Sequence, residues 1–330
     1  MKYDILAIGD IVIDNFIRLK EAEVNCDENK GHCKLSMSYG TKIPFEFSVE
    51  VPAVGNAANA AVCCARLGIT SAFASHIGND ANGEKCIQSL NKDHVVTELV
   101  EKQAGKITNY HYVLWFESDR TILIKHEEFN YHAPSLPEPP RWIYLSSLSK
   151  HSLQHHTELA SLFAKLPNTK IAFQPGTFQI EFGTKALADI YARTEIFFCN
   201  KEEAQQILNS QEEDPKKLLQ GIRALGPRIA VITNDRHGAY AMDKNNSWMV
   251  PMYPDPRPPY ERTGAGDAFS STVVAALALG EPLEKALLWG PINAMSVVQS
   301  VGAQEGLLSR ERIQKLLDEA PADYKISPLK

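Results

Sequence analysis

The sequence predicts an α/β fold: a mostly parallel sheet covered by helices on both faces, with a small separate β-sheet beside it. Three observations carry this. From residue 142 onward, short apolar runs alternate with helical stretches, the pattern of β-α-β units with right-handed crossovers. Residues 15 to 53 and 95 to 132 instead show two-residue alternation and few helix signals. The 330 residues, 44% hydrophobic and 22% charged, are enough to bury a full core.

The elements follow in order. YDILAIG (3 to 9) reads as a buried strand closed by Gly9, with Asp14 expected at the carboxyl edge of that first strand. SMSYG and FEFSVEV read as short half-exposed strands. GNAANAAVCCARLG (55 to 68) is an alanine-rich helix with Gly68 placed to end it. SAFASHIG is a strand and ANGEKCIQSLNKD a helix. TNYHYVLWF and RTILIKHEEF are strand-like and are expected to pair as a hairpin within the small sheet. Then come WIYLSSL, KIAFQPG, EIFFCN and RIAVITN as strands, with HTELASLFAKL, TKALADIYAR, KEEAQQIL and DPKKLLQGIRAL as helices between them. AYAMD and SWMVPM are short strands, and the last third is helical. The expected organisation is one domain over residues 1 to 330, its β-rich parts at about 15–53 and 95–132.

A net charge of -6 and the lack of any Lys/Arg run argue against a nucleic-acid surface. No apolar stretch reaches the ~18 residues of a membrane span, and no secretory signal is evident, so a cytoplasmic protein is expected. The six cysteines form no CxxC pair. Cys26, His32 and Cys33 are half of a metal pattern without an answering pair, and free thiols are the expected state.

Chemistry concentrates in RTGAGDAF (262 to 269). Gly264 and Gly266 flank Ala265 where a helix begins, so several N–H groups can converge on an anion, aided by the helix dipole. Asp267 in the first helical turn is placed to accept a hydroxyl proton beside that hole. Asn200 and Glu203, spaced N-x-x-E after a strand, suit a capping box. No G-x-x-x-x-G-K-[ST] occurs, which excludes a P-loop ATPase.

TGAGDAF late, GNAAN early and NKEE between them resemble the ribokinase-like (phosphofructokinase B, PfkB) carbohydrate kinases, over nearly the whole chain from IGDIVID to GAQEG. The resemblance implies a three-layer α/β/α core with a small β lid, and transfer of phosphate from ATP to the hydroxyl or hydroxymethyl group of a small sugar such as ribose or fructose. It implies Asp267 as base, the backbone of Gly264, Ala265 and Gly266 as anion hole, and Mg²⁺ held through Glu203, by way of water, and Asn200. Nucleotide contacts fall on Asn200, Thr233, Gly238, Thr263 and Asn293. Acceptor contacts fall on Asp14, Gly55, Asn59, Asn109, Tyr112 and Arg120, with Lys42 and Lys125 as further basic candidates should the sugar be phosphorylated. A nucleoside acceptor stacking on Tyr39, Phe45 or Tyr112 is one alternative, and a nucleotide-binding regulator without turnover is another. The chain departs from the family pattern at Val54, where a hinge glycine is usual, and at Glu261, where an Asp helps bind K⁺. Glu261 is longer and Arg262 adds a competing cation, which puts monovalent-cation activation in doubt. The exposed lid sheet calls for a partner, and a lid-to-lid homodimer is expected.

Overall fold

A computed structural model describes residues 3–26, 33–117 and 119–329. The chain opens with β1 (Ile5–Ile8), β2 (Val12–Leu19), β3 (Glu23–Cys26), β4 (Cys33–Ser36) and β5 (Phe45–Val54). It continues through α1 (Asn56–Arg66), β6 (Ser71–Gly78), α2 (Ala81–Lys92), β7 (Val96–Gln103), β8 (Tyr110–Phe116) and β9 (Asp119–Leu123). Next are β10 (Trp142–Leu145), α3 (Leu153–Ala164), β11 (Lys170–Phe173), α4 (Thr177–Ala186), α5 (Ala188–Arg193) and β12 (Thr194–Asn200). α6 (Lys201–Leu208), α7 (Pro215–Ala224), β13 (Ile229–Thr233), β14 (Ala239–Met242) and β15 (Ser247–Val250) follow. The end of the chain is α8 (Ala265–Ala278), α9 (Leu283–Val297), α10 (Arg310–Asp318) and β16 (Ser327–Pro328).

Ten strands form the large sheet in the order β16-β15-β14-β13-β12-β11-β10-β1-β6-β7, parallel from β13 to β7. Two apolar layers flank it. Ile5 and Ala7 of β1 join one buried cluster with α1, α8 and α9, while Leu6 and Ile8 join the other with α3, α5 and α7. Successive strand side chains leave opposite faces, so a strand buried on both sides reads as an unbroken apolar run. The three-layer α/β/α reading therefore holds. α1 and α8 are rich in alanine, whose small side chain lets them pack closely. A Cβ on Gly9 would come within 2.6 Å of Ala57 Cβ.

A second, four-stranded sheet in the order β5-β2-β8-β9 stands apart from the first, as a lid would. Its β8–β9 pair is the expected hairpin. Several boundaries differ from the sequence reading. β7 pairs with β6 in the large sheet, so the 95–103 part of the expected lid belongs to the core. Asp14 lies inside β2 of the small sheet, and β1 ends at Ile8. Only Ser36 of SMSYG is in a strand. β9 stops at Leu123. Beyond it, Glu127 N donates to Asn109 Oδ1 and Asn130 N to Gln103 Oε1, so side chains replace the strand ladder. The helix expected over TKALADIYAR is split, with Gly183 at φ 82° inside α4 and Leu187 separating α4 from α5.

The cysteine expectation is corrected at one pair. Cys26 opposes Cys33 across the β3–β4 pairing, and the two form a disulfide. Cys63, Cys64, Cys86 and Cys199 are free and buried. His32, named with Cys26 and Cys33, lies outside the described residues. No helix among the described residues is long and apolar enough to cross a membrane.

Candidate active site

The parallel strands β1, β10, β11, β12 and β13 all end on one side of the sheet. At or just past those ends Asp10, Ser147, Gln174, Asn200 and Thr233 line a single cleft of about 860 Å³. Ligand sites of open α/β sheets lie at this carboxyl edge, because the crossovers leave it free. α8 points its N-terminus into the cleft, and Gly264, Ala265, Gly266 and Asp267 form part of the wall. Gly264 caps α8 at φ 81°, and a Cβ there would meet Ala303 Cβ at 2.3 Å. Only glycine suits both demands. The first N–H groups of the helix have no acceptor within it, and only that of Ala265 reaches a backbone oxygen among the described residues, Arg262 O at 3.5 Å.

Asp267 is 7% exposed, and three side-chain amides hold it. Asn56 Nδ2 and Gln174 Nε2 donate to Oδ1 at 2.8 and 3.0 Å, and Asn59 Nδ2 donates to Oδ2 at 2.8 Å. Each amide is itself oriented. Tyr144 and Ser270 hydroxyls donate to Gln174 Oε1, which turns its NH₂ toward Asp267. Gln304 Nε2, from the GAQEG segment, donates to Asn59 Oδ1 at 2.9 Å. Burial pushes the Asp267 carboxyl above its ordinary range, and the three amides oppose that shift. The result is a shielded carboxylate with fixed orientation, facing a cleft.

Across the cleft, Asn200 and Glu203 form a reciprocal capping box at the start of α6. Asn200 Oδ1 accepts from Glu203 N at 2.7 Å, and Glu203 Oε2 accepts from Asn200 N at 2.8 Å. Glu202 and Glu203 line the cleft as well. Burial raises the Glu203 pKa, and the Asp267 charge adds to the rise. These facing carboxylates suit a hydrated hard cation such as Mg²⁺, whose charge would relieve their repulsion.

The lid contributes Asp14, His111, Arg120 and Ile122 to the cleft. His111 sits opposite Asp14 in the β2–β8 register, its Nδ1 3.3 Å from Asp14 Oδ1. His126 Nδ1 stands 3.6 Å from Asp10 Oδ2. Asp10 Oδ2, Asp14 Oδ1, His111 Nε2 and Arg120 Nε are buried without a hydrogen-bond partner among the described residues. Such groups call for a ligand or water. Gly55, at φ 115°, lets the backbone pass Asp10, since a Cβ would fall 2.7 Å from Asp10 O.

A second cavity of about 660 Å³ adjoins the first at Ala265 and Gly266. Thr233, Gly238, Tyr253, Pro291, Ala294 and Met295 line it. Its walls are mostly apolar with a few polar groups, as a nucleoside site requires.

Most residues expected from sequence meet here, and some do not. Asp14, Gly55, Asn59, Arg120, Asn200, Glu203, Thr233, Thr263 and the 264–267 turn share the cleft, and Gly238 lines the adjoining cavity. Asn59 spends its amide on Asp267 rather than keeping it free for an acceptor. Asn109 is 2% exposed and holds Ile11 O and Glu127 N. Tyr112 leans on Tyr110 and lines a separate shallow pocket, with Lys125. Asn293 is fully buried, donating to Thr272 Oγ1 at 2.7 Å and accepting from Leu308 N at 2.9 Å, and lines neither cavity. Tyr39 and Phe45 are exposed, and neither they nor Lys42 line the cleft. Sequence reading missed Asp10, Asn56, His111, His126 and Gln174. Asp10 was within reach, because it follows the true end of β1.

The chain matches the model of the pfkB family carbohydrate kinases over residues 25–310. It is 22% identical to an ATP-dependent 6-phosphofructokinase of Thermoanaerobacterium thermosaccharolyticum, covering 96% of this chain and 94% of that one. It is 23% identical to a ribokinase of Haemophilus influenzae, covering 81% and 87%. A nucleoside kinase of Methanocaldococcus jannaschii superposes with a TM-score of 0.79 at 18% identity, covering 96% and 99%. Arabidopsis thaliana ribokinase in complex with ribose and ATP superposes with a TM-score of 0.75 at 17% identity, covering 96% and 99%. At those identities the structural likeness speaks for the fold. The chain belongs to the pfkB family of carbohydrate kinases, phosphotransferases with an alcohol acceptor.

Proposed function

We propose that this protein transfers the γ-phosphoryl group of Mg·ATP to a hydroxyl or hydroxymethyl group of a small sugar. One observation carries the reading: the shielded Asp267 carboxylate lies at the mouth of an unsatisfied helix N-terminus, where a polar cleft meets an apolar cavity. In the proposed reaction Asp267 takes the acceptor's proton as its oxygen attacks the γ-phosphorus. The N–H groups at 264–266 stabilise charge developing on the phosphoryl oxygens. Asn56, Asn59 and Gln174 keep Asp267 ionised and aimed. Glu203, with Glu202 and Asn200 beside it, would hold Mg²⁺ through water, and the bound ion would neutralise phosphate charge. The adenine nucleoside would occupy the cavity lined by Tyr253, Pro291 and Met295, with Thr233, Gly238 and Thr263 nearer the phosphates.

Acceptor hydroxyls would bond Asp10 and Asp14, the buried carboxylates left with free oxygens. Arg120, His111 and His126 add positive or donor groups at the same end. Closure of the lid would exclude water that otherwise hydrolyses ATP. Tyr112 and Leu123, paired across β8 and β9 and exposed on the face of the lid sheet opposite Ile122, support a lid-to-lid homodimer, and a monomer in sizing experiments would refute that assembly.

A panel of pentoses, hexoses, their monophosphates and nucleosides, read by coupled ADP release, tests the reading. A sugar should give turnover well above the acceptor-free rate. If nucleosides alone are phosphorylated, the sugar assignment is wrong, and if no acceptor works despite ATP binding, the protein is a nucleotide-binding regulator.

A further inference from the structure

A second group of titratable side chains gathers on the flank of the large sheet, outside the cleft. β6 and β7 are parallel neighbours with His76 opposite Glu101, so both side chains leave the same face. His132 reaches them from the irregular segment after β9, its Nε2 2.6 Å from Glu101 Oε2. Ligand atoms of His76, Glu101 and His132 all lie within 4.8 Å of one another. The three side a cavity of about 520 Å³ together with Ser75 and His155.

Two further observations point to a ligand. His155 is 2% exposed and lines this cavity, and its Nδ1 has no hydrogen-bond partner among the described residues. Polar atoms left so are rare in folded proteins unless water or an ion meets them. The outer contacts also have the form of metal support. His132 Nδ1 lies 3.2 Å from Asn130 O, which can hold a proton on Nδ1 when a metal displaces the proton that Nε2 shares with Glu101. Gln103 Nε2 donates to both Glu101 Oε1 and Asn130 O, at 3.1 and 2.9 Å, tying the carboxylate and the His132 segment to one anchor.

We propose that His76, Glu101 and His132 bind Zn²⁺ or a similar borderline divalent cation, with water or His155 completing the shell. Two imidazoles and one carboxylate are a donor set for Zn²⁺, whereas Mg²⁺ prefers oxygen alone. Tetrahedral Zn²⁺ needs ligand atoms roughly 3.3–3.5 Å apart. His132, on an irregular segment and with 56% of its side chain exposed, can shift so that its 2.6 Å contact with Glu101 widens to that spacing. The site adjoins the cleft through one residue. Tyr131, next to His132, packs on His76 with ring centroids 5.1 Å apart and donates its hydroxyl to Asp10 at 2.8 Å.

The test uses the full chain, stripped with a chelator and titrated with ZnCl₂ by calorimetry and by competition with a chromophoric chelator. One Zn²⁺ per chain is expected. His132→Ala and Glu101→Gln, both at partly exposed side chains, should each weaken binding more than ~10-fold while keeping wild-type circular dichroism. Glu203→Gln, in the cleft, should leave this binding intact. Absence of stoichiometric binding, or equal affinity in wild type and His132→Ala, would overturn the proposal. So would loss of the site in Glu203→Gln alone, which would place the ion in the cleft.

Discussion

Arg120 Nε, on the lid strand β9, stands 3.6 Å from Glu261 Oε1, just ahead of the turn that opens α8. Glu261 is 2% exposed and also accepts from Thr263 N at 2.7 Å, Thr263 Oγ1 at 2.5 Å and Gly302 N at 3.3 Å. Arg262 turns the other way, toward Asp235, 3.6 Å distant. The sequence reading that made Arg262 the cation competing beside Glu261 is corrected: that charge comes from the lid.

Because a guanidinium already faces Glu261, turnover should be the same in potassium and choline salts. Arg120→Met removes the cation that faces Glu261 and leaves a buried carboxylate less compensated. It should lose about 1–2 kcal/mol in urea unfolding, an estimate discounted from the fully buried case because Arg120 is partly exposed. Initial rates of Arg120→Met should then rise with added K⁺. A wild-type enzyme strongly stimulated by K⁺ would show that Arg120 does not fill this role.

Asp267→Asn should lower kcat by about 10²-fold or more, while calorimetry finds ATP binding little changed. The pH profile carries a second signature. A base works only when deprotonated, and burial raises the Asp267 pKa, so the acid limb of kcat/KM should lie above the ordinary carboxylate range. Activity falls as pH drops through that raised value. An acid limb near pH 4 would contradict the assignment.

The two glycines of the turn should fail differently. At Gly264 a side chain meets both a φ of 81° and Ala303, so Gly264→Ala should cost about 2 kcal/mol or more of stability. At Gly266 a Cβ meets nothing within 4 Å. Gly266→Ala should keep stability within about 0.5 kcal/mol. Its methyl would enter the anion hole and cut kcat by about 10-fold or more. Thermal melts beside initial rates separate the two.

Stability should decline on mild acidification. Burial lowers the pKa of His155 from 6.5 to about 3, and lowers those of His76 and His156 as well. Between those values the unfolded chain binds more protons than the folded one, so stability is full above pH 6.5 and lost as pH falls. In chelator-treated protein, Tm should drop steadily from pH 6.5 to 4.5. His155→Phe should flatten that slope, and an unchanged slope would mean that other groups cause it.

Local signals were legible in the sequence because their physics acts within a few residues. Gly264 and Gly266 before an apolar helix specify a left-handed turn and an open helix N-terminus, and Asp267 follows from its place in the first turn. The Asn200–Glu203 box is equally local, with both hydrogen bonds spanning three residues. Alternating apolar runs and helices determined the layered core, since each strand must be buried on both faces. The tertiary structure alone decided who meets Asp267. Asn56, Asn59 and Gln174 come from two different crossovers, and their convergence depends on how α1, β11 and α8 pack. It likewise decided that β7 joins the large sheet and carries Glu101 opposite His76, and that Arg120, 141 residues before Glu261, closes on it from the lid. Such meetings depend on strand order and register, which no short stretch of sequence encodes.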